Sequence, residues 1–140
     1  MSTRYALVTG GSRGIGRAVC LKLAGMGIPV LIGYRSNKDA AEEVCDMILH
    51  NGGQASIICL DVSDKNSVET ALGTWESSHP DDYIAYLVNN AGITHDSLMF
   101  MMTDDDWDSV IRTSVNGLFY VTRYLLPKMM ARGHGGHIVN

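Results

Sequence analysis

The sequence predicts a doubly wound α/β domain, a parallel sheet covered by helices on both faces. Short, continuous apolar runs alternate with stretches of helical spacing along the whole chain. Each apolar run lacks the in-and-out alternation of a half-exposed strand, as expected of strands buried on both faces. A glycine-rich turn over residues 9–16 joins the first apolar run to the first helical one. No repeat of solenoid period, low-complexity stretch or interdomain linker interrupts this order.

Residues 5–8 read as the first strand, ended by the glycine-rich turn. Ile15, Val19, Leu23 and Met26 then recur at helical spacing, and Gly27 supplies a stop. Residues 29–32 form the second apolar run. Ser36 or Asn37 caps a second helix through Ala40, Val44, Met47 and Ile48, closed by Asn51, Gly52 and Gly53. Residues 54–60 are the third strand, and residues 64–76 the third helix, with Val68, Leu72 and Trp75 on one face. Residues 84–88 are the fourth strand. A capping pattern from Thr103 to Asp106 opens a long helical region through Val110, Leu118 and Leu125 toward Met130. Pro127 inside it predicts a kink or break. Residues 137–139 open a fifth strand, and the chain ends at Asn140. A sheet that stops at such a strand predicts truncation there.

Composition narrows the function classes. Of 140 residues, 46% are hydrophobic and 19% charged, the profile of a soluble globular domain with its own core. A net charge of −4 without clustered Lys and Arg argues against a nucleic-acid footprint or a basic membrane face. No apolar run approaches the ~20 residues that span a bilayer. The N-terminal residues carry no signal-peptide core, so a cytoplasmic location is expected. Cys20, Cys45 and Cys59 show no CxxC spacing and read as reduced core thiols. The histidines, including His134 and His137, show no ligand clustering, so no metal is expected.

The turn over residues 9–16 carries the chemistry. Gly10 permits a tight turn, Gly14 a close backbone approach to a pyrophosphate, and Gly16 close packing of the helix. Ser12, Arg13 and Ile15 complete the candidate phosphate-binding loop. The helix that follows offers unpaired N–H groups and the positive end of its dipole.

Gly10-x-x-x-Gly14-x-Gly16, together with Asn89-Asn90-Ala91-Gly92 after the fourth strand, resembles the short-chain dehydrogenase/reductase family over the whole chain. The resemblance implies a Rossmann fold. It makes residues 1–140 a single dinucleotide-binding domain, the N-terminal half of a longer enzyme that moves a hydride between a nicotinamide and a carbonyl or alcohol. An NAD-selective domain carries an acidic residue after the second strand. This sequence has Gly33, Tyr34, Arg35 and Ser36 there. Arg35 and Arg13 can pair with a 2′-phosphate from two sides, with Ser36 and Asn37 as neutral donors, which favours NADP(H). Tyr34 lines the same corner. The resemblance further implies that Asp61 and Val62 flank the adenine, Asp61 accepting from its amine; the alternative is that Asp61 caps a turn. Asn89, Ala91 and Gly92 would line the adenosine ribose, with Asn89 also bracing the central strands. Asn90 is open to either a structural or a contact role.

In the family a Tyr acts as acid/base beside a Lys four residues on, a Ser orients the carbonyl, and an Asn on the long helix holds a relay water. The Ser, Tyr and Lys would fall beyond Asn140, so the chain by itself is expected to be inactive. The nearest matches within it, Tyr120 with Arg123 and Tyr124 with Lys128, lie upstream of the expected place and read as helix surface or subunit contact. Ser114 stands where the Asn is expected, as a candidate for holding the relay water. Asn116, about 200° further around a helix, should not replace it.

Residues 92–103, with Met99, Met101 and Met102, and Arg35-Ser36-Asn37 resemble the 3-oxoacyl-[acyl-carrier-protein] reductases of fatty acid biosynthesis. That resemblance implies NADPH-dependent reduction of a carrier-linked 3-oxoacyl thioester. It also implies a tetramer using the helices around Trp107 to Met130. The methionines suit an adaptable apolar wall, or plain core or interface packing. Arg123, Lys128 and Arg132 could form a basic patch for an acidic carrier, or be solvated surface. The alternatives are another NADP(H)-dependent alcohol or ketone oxidoreductase, or a nucleotide-binding module without catalysis.

Overall fold

The computed structural model describes residues 2–140. Five strands, β1 (Arg4–Val8), β2 (Val30–Tyr34), β3 (Ala55–Cys59), β4 (Tyr83–Val88) and β5 (His137–Val139), form one sheet in the order β3-β2-β1-β4-β5. Every pairing is parallel. The connecting helices are α1 (Gly14–Gly25), α2 (Lys38–His50), α3 (Lys65–Ser78), α4 (Asp104–Ile111) and α5 (Gly117–Ala131). The strand order runs outward from β1 to β3, then returns to β1's other edge with β4. That reversal opens a crevice at the C-terminal ends of β1 and β4.

Alternation along each strand divides the core in two. Leu7, Leu31 and Leu87 pack with Leu72, Trp75, Leu125 and Met129 beneath α3 and α5. Val8, Val30 and Ile32 pack with Cys20, Val44 and Ile48 beneath α1 and α2. Because each strand feeds both cores, its residues are apolar in succession, which is the pattern the sequence displays.

Local chemistry fixes the helix starts. Asn37 caps α2 by accepting from the Ala40 N–H at 3.1 Å, and Asp64 caps α3 by accepting from the Asn66 N–H at 2.9 Å. Thr103 and Asp106 form a full capping box at α4: the Thr103 hydroxyl accepts from the Asp106 N–H at 3.1 Å, and the Asp106 carboxylate from the Thr103 N–H at 3.2 Å.

Three expectations change. Pro127 does not break α5, which runs through it. Pro127 and Arg123, whose carbonyl loses its partner, are both exposed, so water can supply the missing donor. The irregularity lies earlier, where Arg112–Asn116 forms a π-helical turn between α4 and α5. In α1, Gly16 and Cys20 are the buried positions, whereas Ile15 is 77% exposed and Met26 also faces solvent. The small residues let α1 sit close to the sheet, which rotates its outer apolar positions away. Cys59 is exposed and Cys45 half-buried, so Cys20 alone of the three is a core thiol.

Leu72 is fully buried among β-strand and helix side chains. Leu72→Ala should destabilise the protein by about 2–5 kcal/mol, against less than about 1 kcal/mol for Phe100→Ala on the surface, measured as shifts in urea midpoint.

Candidate functional site

The loops after β1, β2, β3 and β4 enclose a cleft of about 430 Å³. Two of them are latched together. The buried Thr9 hydroxyl accepts from the N–H groups of Asn90 and Ala91, each at 3.0 Å. The Asn90 carboxamide donates back to the carbonyls of Thr9 at 3.1 Å and Gly10 at 3.0 Å. Asn90 thus has a structural role and also lines the cleft.

Glycine is required here for two different reasons. Gly10 has φ +63°, and a Cβ on it would sit 3.1 Å from the Ala91 Cα. Gly14 has φ +55° and opens onto free space, leaving its backbone accessible. A side chain at Gly16 would collide with the Gly10 carbonyl and the Asn90 amide, so this residue lies under the loop rather than along the cleft.

The start of α1 differs from the other helices that open near the loops. Its N-cap, Arg13, is extended and offers no side-chain acceptor, and its first turn holds no acidic residue. The first N–H groups of α1 therefore remain available to an anion, a donor set that fits a pyrophosphate.

Gly10, Ser12, Arg13, Gly14 and Ile15 line the cleft from the first loop. Tyr34, Arg35, Ser36 and Asn37 line it from the second, and Asp61 and Val62 from the third. The Asp61 carboxylate caps the turn into α3: Oδ1 accepts from the Ser63 N–H at 3.0 Å and the Ser63 hydroxyl at 2.6 Å. Its Oδ2 stands 3.7 Å from the Arg35 Nε. Ala91 and Gly92 line the cleft from the fourth loop.

Asn89 does not. Its carboxamide donates to the Thr122 hydroxyl at 3.1 Å and to the Asn140 carboxamide oxygen at 2.9 Å, tying the end of β4 to α5 and to the residue after β5. The bracing role expected of it is the one its carboxamide performs. Thr113, Leu60 and Ile93 line the cleft although the sequence reading did not single them out. Leu60 carries only an apolar core signal. Thr113 enters through the π turn, which no residue type there announces. Ser114, next to it, abuts Gly92: a Cβ on Gly92 would lie 3.4 Å from the Ser114 Oγ.

Tyr124 and Lys128 do stand four residues apart, the spacing expected of an acid/base pair, so spacing does not exclude them; position does. Both donate to Glu76 Oε2 on α3, Tyr124 from 2.9 Å, and neither lines the cleft. Burial raises the Tyr124 phenol above its ordinary value, the opposite of what a proton donor tuned for neutral pH needs. Of the three cations expected to form a basic patch, one is ion-paired and two stay exposed. Lys128 is paired with Glu76, Arg123 lies over the Phe119 ring at 5.6 Å, and Arg132 over the Tyr83 ring at 5.1 Å. Met99 and Met101 sit in an exposed 3₁₀ turn outside the cleft with Leu98 and Phe100, so they are not core residues. Among the described residues no group of three or more His, Cys, Asp or Glu is placed to hold a metal. Nor is any helix long and apolar enough to cross a membrane.

Comparison with known proteins agrees with this architecture. The family model for short chain dehydrogenase matches residues 4–140. A 3-oxoacyl-[acyl-carrier-protein] reductase of Synechocystis sp. is 37% identical over 140 residues, covering 100% of this chain and 56% of its own length. An uncharacterized oxidoreductase of Escherichia coli (strain K12) is 43% identical over 138 residues, covering 96% of this chain and 55% of its own. The crystal structure of a metagenomic short-chain oxidoreductase in complex with NADP superposes with a TM-score of 0.89 at 30% identity, covering 98% of this chain and 60% of that one. The chain spans about half the length of the curated relatives it matches.

Burial pushes the Cys20 thiol up to about 12, while Cys59 is exposed. Iodoacetamide at pH 8 should therefore label Cys59 and leave Cys20 unmodified until the protein unfolds, as read by peptide mass spectrometry. Gly16→Val should abolish dinucleotide binding, since the loop and α1 cannot both keep their places; calorimetry checks this.

Proposed function

The chain belongs to the short-chain dehydrogenase family, and from that premise we propose that its cleft binds NADP(H) for the reduction of a 3-oxoacyl thioester to the 3-hydroxyacyl form. The observation that carries the cofactor choice is the corner after β2. Arg35 lines the cleft there with Ser36 and Asn37, Arg13 lines it from the first loop, and no carboxylate follows β2. A 2′-phosphate placed there meets two guanidinium groups, whose planar forks match its oxygens.

Each residue then has a task. The free N–H groups at the start of α1 receive the pyrophosphate, with Gly14 allowing close approach. Ser12 and the Ile15 backbone belong to the same cradle. Tyr34, Asp61 and Val62 bound the adenine end, and Ala91 and Gly92 the ribose. The bound cofactor supplies the hydride. Ser114, against Gly92, holds the relay water with its hydroxyl. The Tyr–Lys pair and the Ser that handle the carbonyl oxygen belong to the remainder of the longer protein, so this half binds and orients but does not turn over alone.

The substrate reading rests on relatives that carry the 3-oxoacyl reductase name, and on the likeness of residues 92–103 to that group. With Lys128 paired to Glu76, the exposed Arg123 and Arg132 are what the α5 region offers an acidic carrier. Copies of the protein pack, in this proposal, through the exposed row Trp107, Val115, Phe119, Leu126 and Met130 along α4 and α5, giving a tetramer in the cytoplasm.

Arg35→Glu should weaken NADPH binding by about 10- to 100-fold while changing NADH binding far less, as expected for loss of one charge-assisted contact. Equal losses for both cofactors would remove the 2′-phosphate assignment. Following NADPH oxidation by the full-length protein against carrier-linked, coenzyme A-linked and free ketones tests the substrate. Turnover confined to free ketones or sugars would replace the thioester reading.

A further inference from the structure

A carboxylate stands beside Arg35 from the neighbouring strand. Asp61, at the end of β3, places its Oδ2 3.7 Å from the Arg35 Nε, and both side chains line the cleft. We propose that Asp61 is a specificity-determining residue whose carboxylate weakens the cleft's preference for a 2′-phosphorylated cofactor, so that Arg35 and Asp61 set that preference as a pair. This rests on the NADP(H) reading and refines it.

Three features support the assignment. First, Asp61 is held in place independently of Arg35. Oδ1 accepts from the Ser63 N–H and hydroxyl, and the Asp61 N–H donates to the Ser67 hydroxyl at 2.9 Å. These bonds oppose rotation of the carboxylate away from Arg35 when an anion arrives. Second, 3.7 Å is too long for a hydrogen bond, so Asp61 acts on Arg35 through charge rather than as a clamp that aims it. Third, the side chains of Arg35 and Asp61 are 65% and 34% exposed, so the effect is screened and moderate rather than prohibitive. A phosphate dianion at Arg35 must share the guanidinium with a fixed negative charge. A 2′-hydroxyl carries no charge and meets no such repulsion. The intact protein should accordingly accept both cofactors, with a bias toward NADP(H) that is smaller than two arginines alone would produce.

Asp61→Asn removes the charge and keeps an oxygen for Ser63. The experiment is calorimetric binding of adenosine 2′,5′-bisphosphate and of 5′-AMP to the intact protein, so no turnover is required. The ratio of the two affinities isolates the 2′-phosphate. It cancels any loss at the adenine, and retained 5′-AMP binding shows that the variant is folded. Asp61→Asn should raise the ratio about three- to tenfold at low salt, less at high salt. Asp61→Ser, which can still cap the turn, should act in the same direction. In an Arg35→Gln background the rise should shrink. A ratio that falls would make Asp61 an orienting partner of Arg35, and an unchanged ratio would leave it a turn cap; either overturns the proposal. The underlying cofactor reading fails separately, if the wild type does not distinguish the two nucleotides and Arg35→Gln changes neither affinity.

Discussion

The latch between Thr9 and Asn90 is the constraint on which the cleft depends. β1 and β4 are neighbours in the sheet, but their hydrogen-bond ladder ends where the strands end. Beyond that point two loops would diverge, each with unpaired backbone groups. The Thr9 hydroxyl and the Asn90 carboxamide take over as the ladder's continuation. They satisfy these groups within a small space and hold the loops at a fixed separation. Gly10 is needed there for its positive φ and its tight approach to Ala91, and Gly16 because the latch leaves no room for a side chain. The free helix terminus at α1 is aimed into the cleft because Gly10 turns the chain above it.

Caps elsewhere sharpen the meaning of the one that is missing. Three helices begin on side chains that take up their early N–H groups, at Asn37, Asp64 and Thr103. α1 begins on an arginine, which has no acceptor to offer. A cap there would stabilise the helix by about 1 kcal/mol and close the anion site. The sequence forgoes that stabilisation at the position where the strand order reverses.

Much of the fold was legible because strand burial and helix spacing leave independent marks. The run 29–32 is apolar in succession, as a strand covered on both faces requires, and Val68, Leu72 and Trp75 lie on the buried face that their spacing gives α3. The glycine-rich loop was legible for the same reason, since steric need names the residue. Other features depend on partners far along the chain. The bracing role of Asn89 is legible in its motif, but nothing near it announces that the partners are Thr122 and Asn140. The π turn at Arg112–Asn116 has no residue signature comparable to proline, and Pro127 drew attention that belonged there. The basic residues of α5 keep helical spacing, but the pairing of Lys128 with Glu76 and the stacking of Arg132 on Tyr83 are tertiary. The pairing of Arg35 with Asp61 joins the ends of adjacent strands and is invisible until the sheet is assembled.

The strand order also governs the timing of assembly. β1 is the first strand made and sits at the centre of the sheet, yet the partner on one of its edges arrives late: Thr9 and Val88, which meet there, are 79 residues apart. As the chain leaves the ribosome, β1, β2 and β3 can associate with α1 and α2 to close one core. The opposite side stays incomplete, with Leu7 and Leu31 covered only in part by α3, until β4 and α5 emerge. Such long-range parallel pairing is slow to form and prone to adhere to other chains in the interval. The nascent protein therefore passes through a stage with a sticky half-built sheet, and this is the stage at which chaperones would engage it.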